Sequence, residues 1–191
     1  MKKYISYALM TFALSFGFAS CDVETDEEPG GTNVEKMAGR WEVTVDAYDE
    51  TGKLLYEDPY EIGVIEIQTY NTSDNGIDKM WIYDMRNFWD IKFKININYE
   101  ARTFSATDVP YNADYQEIAD LKAKGETLYD EEGNEIVAEK ATITNGKILE
   151  GAATSLHGKA NDSIVFDIKF TDDSYGFIYR ISGQRYTGFY E

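Results

Sequence analysis

Histidine and cysteine are almost absent from this chain of 191 residues: His157 and Cys21 are each the single occurrence of their type. One imidazole excludes a His-rich metal site and leaves a serine triad only one candidate base. That base sits in Thr154-Ser155-Leu156-His157-Gly158. Ser155 is too near it in sequence to make a dependable Ser–His pair, and an ordinary loop histidine is the simpler reading. No Gly-x-Ser-x-Gly elbow and no His-Glu-x-x-His zinc motif occurs. A lone cysteine allows no disulfide and no multi-thiolate metal site. Adjacent carboxylates such as Asp172-Asp173 are expected without function among 35 acidic residues, and no EF-hand spacing is present. The residues therefore imply no cofactor and no metal, and they lean against an enzyme. Positive charge is scarce as well. Eighteen Lys and Arg against 35 Asp and Glu leave a net charge of −17. Such a balance argues against nucleic acid and against adhesion to an anionic surface, and it steers anionic ligands away.

The position of the one thiol is informative. Lys2 and Lys3 precede an uncharged, mostly apolar run from Tyr4 to Ala19, and Phe18-Ala19-Ser20-Cys21 closes it. The run falls short of the roughly 20 residues a spanning helix needs. It reads as a lipoprotein signal peptide over residues 1–20, with Cys21 as the lipid attachment point. Phe18 departs mildly from the usual Leu of such a site. Stable anchoring takes about two acyl chains. Next comes Asp22-Val23-Glu24-Thr25-Asp26-Glu27-Glu28-Pro29-Gly30-Gly31, acidic and without Lys or Arg. It repels itself and buries nothing, which predicts a flexible tether over 21–38 ahead of a folded domain over 39–191. The tract is similar to the acidic export signal of Bacteroidetes-type lipoproteins. That implies an outer-membrane protein facing the cell exterior and held to the membrane by its N-terminal lipid.

From Gly39 onward the chain is patterned for strands. Trp41, Val43, Val45 and Ala47 alternate with polar residues, as do Ile91, Phe93, Ile95 and Ile97; Ile164, Phe166, Ile168 and Phe170 form a third run. Period two buries one face of a strand and wets the other. Weaker runs lie at 63–69, 79–85, 102–107, 140–144, 147–151, 177–182 and 185–190. Asn145-Gly146 reads as a type I′ hairpin turn, and Asn75-Gly76 as a turn before Lys79. Asp49-Glu50-Thr51-Gly52 and Asp130-Glu131-Glu132-Gly133 share turn chemistry. Only Ala113–Lys124 predicts a helix, capped by Asn112, ended by Gly125 and covering one end of the structure, with Ile118 and Leu121 as its apolar stripe.

The expected fold is therefore all-β: an antiparallel, lipocalin-like (calycin-type) barrel of about 8–10 strands with one short helix or lid. Gly39-Arg40-Trp41 opens the first strand and Arg185 lies on the last. In such barrels these two strands pair, which would set the Arg185 guanidinium on the Trp41 ring and close the barrel.

The C-terminal third carries a family likeness. Asn161-Asp162-Ser163-Ile164, Thr171-Asp172-Asp173 and Tyr179-Arg180-Ile181-Ser182-Gly183-Gln184-Arg185-Tyr186-Thr187-Gly188-Phe189 are its residues. The chain resembles the Bacteroidetes lipoprotein family described as lipid-binding putative hydrolases, over Gly39 to Glu191. Residues 107–140 match nothing characteristic. The resemblance implies a lipocalin-like barrel and a lipid-like ligand; it carries over no catalytic residue.

Together, leader, barrel pattern and family likeness predict a lipid-anchored binding protein for a small hydrophobic or amphipathic ligand. The candidate pocket residues are Trp81, Tyr83 and Trp89, with Phe93, Ile95 and Phe166 inside the barrel. Trp81, Tyr83 and Met85 are expected to share the inner face of one strand. Whether the apolar side chains line a hollow interior or fill it, the pattern leaves open. The alternatives are a surface glycan-binding protein of a polysaccharide-uptake system, with Trp81 and Trp89 stacking on sugars, and a non-enzymatic partner of an outer-membrane protein.

Overall fold

The computed structural model describes residues 31–155 and 157–188. The leader, Cys21 and the acidic run through Gly30 lie outside those residues, as does Phe189. Among the described residues nine antiparallel strands and one helix succeed one another in order: β1 Gly39–Tyr48, β2 Leu54–Glu57, β3 Ile65–Asn71, β4 Lys79–Tyr83, β5 Lys92–Asn98, β6 Thr103–Pro110, α1 Ala113–Ala123, β7 Lys140–Thr154, β8 Ala160–Phe170 and β9 Ile178–Arg185. Eight of the strands close a barrel in the order β1-β3-β4-β5-β6-β7-β8-β9, and β9 returns to β1 with pairs from Trp41↔Arg185 to Tyr48↔Ile178. The short β2 continues beyond β3 along the same edge of β1.

Alternation explains which residues lie inside. Trp41, Val43, Val45 and Ala47 of β1 are buried, as are Phe93 and Ile95 of β5 and Ile164, Phe166 and Ile168 of β8. Trp41, Ile67, Met80, Ile82, Ile91, Ile95, Phe166, Ile168, Tyr179 and Ile181 have no more than a trace of accessible surface. An internal void wide enough for a ligand would leave accessible area on the side chains around it. These residues have none, so side chains fill the barrel where they meet. The hollow interior is thereby excluded for this structure.

One end is sealed from below the first strand. The compact unit starts at Thr32, ahead of the boundary expected at Gly39, because a turn over residues 33–37 inserts Val34 and Met37 fully into the core. Trp41 Nε1 donates to Thr69 Oγ1 at 2.9 Å, and that hydroxyl donates to the Met37 carbonyl at 2.7 Å. The Arg185 guanidinium lies 4.4 Å from the Trp41 ring centroid and donates to the carbonyls of Ala38 and Lys36 and to Asp162. A Cβ on Gly39 would stand 2.6 Å from Arg185 Nη1, so any larger residue there displaces the guanidinium.

Several local expectations are corrected. Asn145-Gly146 does not end a hairpin. β7 runs straight through it with a register shift between Thr144 and Lys147, a β-bulge in which Asn145 takes φ 55. Two contacts favour the bulge. Asn145 Nδ2 donates to the buried carboxylate of Asp167, and a Cβ on Gly146 would strike Phe104 at 2.4 Å. Asp167 is also gripped by Arg180 through two hydrogen bonds; burial pushes its carboxyl up, but Arg180 and Asn145 outweigh that and hold it below the ordinary range. At Asn75-Gly76, Asn75 alone has φ above zero and a loop of residues 72–78 joins β3 to β4, in place of a two-residue turn. Of the run expected at 185–190, Arg185 ends β9, residues 186–188 form no strand, and the last two lie outside the described residues. The two Asp-x-x-Gly turns do share their chemistry. Asp49 accepts from the amides of Thr51 and Lys53, Asp130 from that of Asn134, and Gly52 and Gly133 take φ 81 and 84.

Candidate functional site

The candidate pocket residues separate into three places. Phe93, Ile95 and Phe166 are buried in the filled interior. Trp81 and Tyr83 face outward, contrary to the expected inner face, because Met80 and Ile82 occupy the interior side of β4. Met85 leaves the strand altogether, at φ 56 and exposed. Outside, Trp81 sits between its register partners. It lies parallel to Tyr70 of β3 with centroids 6.4 Å apart, and Lys94 of β5 places its Nζ 5.3 Å from the indole.

Trp89 belongs to the third place, the far end of the barrel. Its ring stacks on Phe170 at 4.5 Å and 7°, with Phe88, Tyr60 and Tyr179 around it. The turn that carries it is tied to Asp84, which is fully buried and accepts from the amides of Arg86 and Trp89 at 2.9 and 2.8 Å. Asp172 takes the Trp89 Nε1 and the Tyr111 hydroxyl; Asp173 takes that of Tyr179, which also meets Tyr60 at 2.7 Å. Burial, followed by the Asp172 bond for Tyr111 and the Tyr60 bond for Tyr179, pushes both phenols far above their ordinary pKa, so they remain donors. The adjacent aspartates are thus acceptors in an aromatic plug. His157 lies exposed in the β7–β8 loop, away from this plug in sequence and strand order.

A broad concavity lies outside the barrel, between α1 and the wall of β4, β5 and β6. It has a volume of about 720 Å³. A bulge in β6 builds one side. Asp108 takes φ 50, the β6–β7 register shifts between Ala106 and Val109, and Thr142 exchanges hydrogen bonds with Asp108. Val109 and Pro110 are thereby half-exposed along the groove. Tyr111 anchors the exit of the strand through its ring contact with Phe170, and Tyr115 of the helix rests on Tyr111 at 4.9 Å.

α1 begins where Asn112 caps it, its side chain accepting from the Tyr115 amide at 3.0 Å, and it closes at Lys124 before Gly125 at φ 87. Asp114 in the first turn and Lys122 in the last complement its dipole. It buries no residue. A surface helix ordinarily covers an apolar stripe of about 100° or more. This one leaves Leu121 over a groove that also holds Trp81, Val109 and Pro110. It runs along the wall and does not cap the barrel end. Lys92, Lys94 and Lys124 supply cations to the groove, and Glu117 and Asp120 supply carboxylates on the helix side.

Sequence reasoning found Trp81 and the helix but missed Val109, Pro110, Lys92 and Lys94. The signal for them was the Pro110-Tyr111-Asn112 exit ahead of a helix with a narrow stripe, in the segment that matched nothing characteristic.

A family model described as "lipid-binding putative hydrolase" matches residues 26–190. No curated protein matches the chain. Among solved structures, a structural-genomics protein of unknown function from Bacteroides ovatus aligns at 11% identity and a TM-score of 0.38, over 80% of this chain and 42% of its own. At that score the likeness carries no argument, and this chain spans less than half of that protein.

Proposed function

The chain belongs to the family of lipid-binding putative hydrolases, and from that premise we propose that it takes a small apolar or amphipathic ligand in the groove between α1 and the outer wall of β4–β6. The family and the barrel support a ligand-binding role. One observation supports the place: the interior is filled, while α1 has no fully buried residue and stands over apolar wall residues. A ligand lying there desolvates Trp81, Val109, Pro110 and Leu121 together. Each 100 Å² of apolar area so covered contributes roughly 2.5 kcal/mol before the cost of immobilising the ligand. Beyond its Tyr115 contact with Tyr111, the helix gains an apolar partner for Leu121, so binding and seating of α1 are coupled.

The test titrates a fluorescent fatty-acid analogue against the purified protein. Saturable binding is expected, weakened about tenfold or more by Trp81→Ala with Leu121→Ala, a loss of about 1.4 kcal/mol or more. Binding untouched by that pair would return the ligand to some other surface. Trp81 is also a flat outward ring of the kind a sugar stacks on. Displacement of the probe by neutral oligosaccharides, and not by fatty acids, would establish the glycan reading in its place.

We also propose that Cys21 carries acyl chains that hold the domain to the outer membrane, facing the cell exterior. The support is the sequence alone: a short apolar leader, a cysteine at its end and an acidic tether. Labelled palmitate fed to cells is expected to enter the wild-type protein and not Cys21→Ser. Equal labelling of both would remove the anchor. Accessibility to protease added to intact cells reads the leaflet.

A further inference from the structure

Cations are the minority charge in this protein, and where they go is informative. Of 53 charged residues, counted as 18 Lys and Arg with 35 Asp and Glu, two thirds are acidic. Two surface lysines hold carboxylates, Lys122 to Glu135 and Lys169 to Glu50, and Asp74 lies within electrostatic reach of Lys94. Lys92 and Lys94 make no ion pair among the described residues. Both stand on the outward face of β5, two residues apart and so roughly 7 Å apart along the strand. Across the ladder each faces an aromatic residue of β4: Lys92 is paired with Tyr83 and Lys94 with Trp81. Lys92 Nζ lies 5.2 Å from the Tyr83 ring and Lys94 Nζ 5.3 Å from the Trp81 ring.

A ring face holds an ammonium in position without neutralising it. Each of the two lysines thus rests on a ring face of β4. They border the groove beside its apolar wall, with Lys124 of the helix end as a third cation. Glu117 and Asp120 also border it, from the opposite side, on α1. The sign of the groove changes across its width, positive along β5 and negative along the helix.

Resting on the proposal that the groove binds an apolar or amphipathic ligand, we infer that this ligand is a single-chain amphiphile with an anionic head, its carboxylate or phosphate oxygens set on Lys92 and Lys94 and its chain lying over Val109 and Pro110 beneath Leu121. The head accepts from two ammonium groups at the wall and is repelled from the helix by Glu117 and Asp120, which fixes the orientation of the chain. A ligand with a cationic head would be driven the other way, and an uncharged one would gain nothing from β5. The charge of the whole protein works against this choice at long range. Within a Debye length of about 8 Å at physiological salt, the local lysines dominate.

Three ligands of equal chain length separate the possibilities: dodecanoate, dodecyl phosphate and dodecanol, each titrated below micellar concentration into the whole protein by calorimetry. An anionic head held by charge-assisted hydrogen bonds is expected to bind about tenfold tighter than the alcohol, with the preference shrinking as salt rises. Which of the two anions is tighter identifies the head. Lys92→Gln with Lys94→Gln is expected to bring the acid-to-alcohol affinity ratio to about one, with an unchanged melting temperature as proof of folding. Lys122→Gln with Lys169→Gln serves as the charge-matched control and is expected to leave the ratio intact. Equal binding of acid and alcohol by the wild type would overturn the anionic head and leave the groove standing. Saturable binding of none of the three would overturn both. A preference that survives Lys92→Gln/Lys94→Gln would place the head elsewhere and overturn the assignment to β5.

Discussion

Gly183→Ala is expected to destabilise the protein by about 3 kcal/mol or more, the largest effect of any single methyl group added to this chain. Gly183 lies within the seam where the last strand meets the first, paired with Val43 on β1 and Ile164 on β8. A Cβ there would stand 1.9 Å from the carbonyl oxygen of Glu42 and 2.6 Å from the Cα of Val43. Both atoms are backbone, so no rotamer change relieves the clash. The strands must separate, and with them the hydrogen bonds that close the barrel. Glycine is used here for close approach of two backbones, without any need for a left-handed conformation. At roughly 2–4 °C per kcal/mol for a domain of this size, the melting temperature should fall by roughly 6–12 °C or more. A melt within about 2 °C of the parent, less than one kcal/mol on that scale, would mean that β1 and β9 do not meet as described.

Trp41→Ala comes next, at about 3–5 kcal/mol, the usual cost of emptying a buried tryptophan site. Three partners lose their contact together. Thr69 loses the indole N–H, Arg185 loses the ring face beneath its guanidinium, and the turn carrying Met37 loses the wall it rests against. Trp41→Phe separates these effects. It keeps a ring under Arg185 and gives up the hydrogen bond, which is worth about 1 kcal/mol. Urea denaturation of the two variants should therefore differ by about 2 kcal/mol or more. In a double-mutant cycle with Arg185→Ala, the ring and guanidinium should couple by about 0.5–2 kcal/mol. Coupling near zero would leave Trp41 as an ordinary core side chain with no part in closure.

Legibility of the fold varied with the pattern of each segment. β1 and β5 alternate cleanly between apolar and polar, β8 does so but for Val165, and their inward faces are the ones alternation predicts. β4 reads Lys79-Met80-Trp81-Ile82-Tyr83, apolar on both faces. Period two then has no preferred parity, and size decided. The compact Met80 and Ile82 fill the interior, and the two large rings lie outside, where Tyr70, Lys92 and Lys94 meet them. Asn145-Gly146 failed for a related reason. The dipeptide satisfies a tight turn and a bulge equally well, and only Phe104 and Asp167, distant in sequence, favoured the bulge.

Alternation, turn chemistry and the helix cap are local, so the sequence by itself determined the all-β class, the helix over 113–123 and the pairing partners that a Gly-x-Trp opening and a closing Arg185 suggest. Whether the barrel holds a space is a question of volume. It is answered only when side chains from all eight strands meet at one axis, and here they meet without a gap. The groove beneath α1 is likewise tertiary. Its lysines, its bulged Val109 and Pro110 and its unburied helix come from separate stretches of chain, brought together by strand register and not by any local signal.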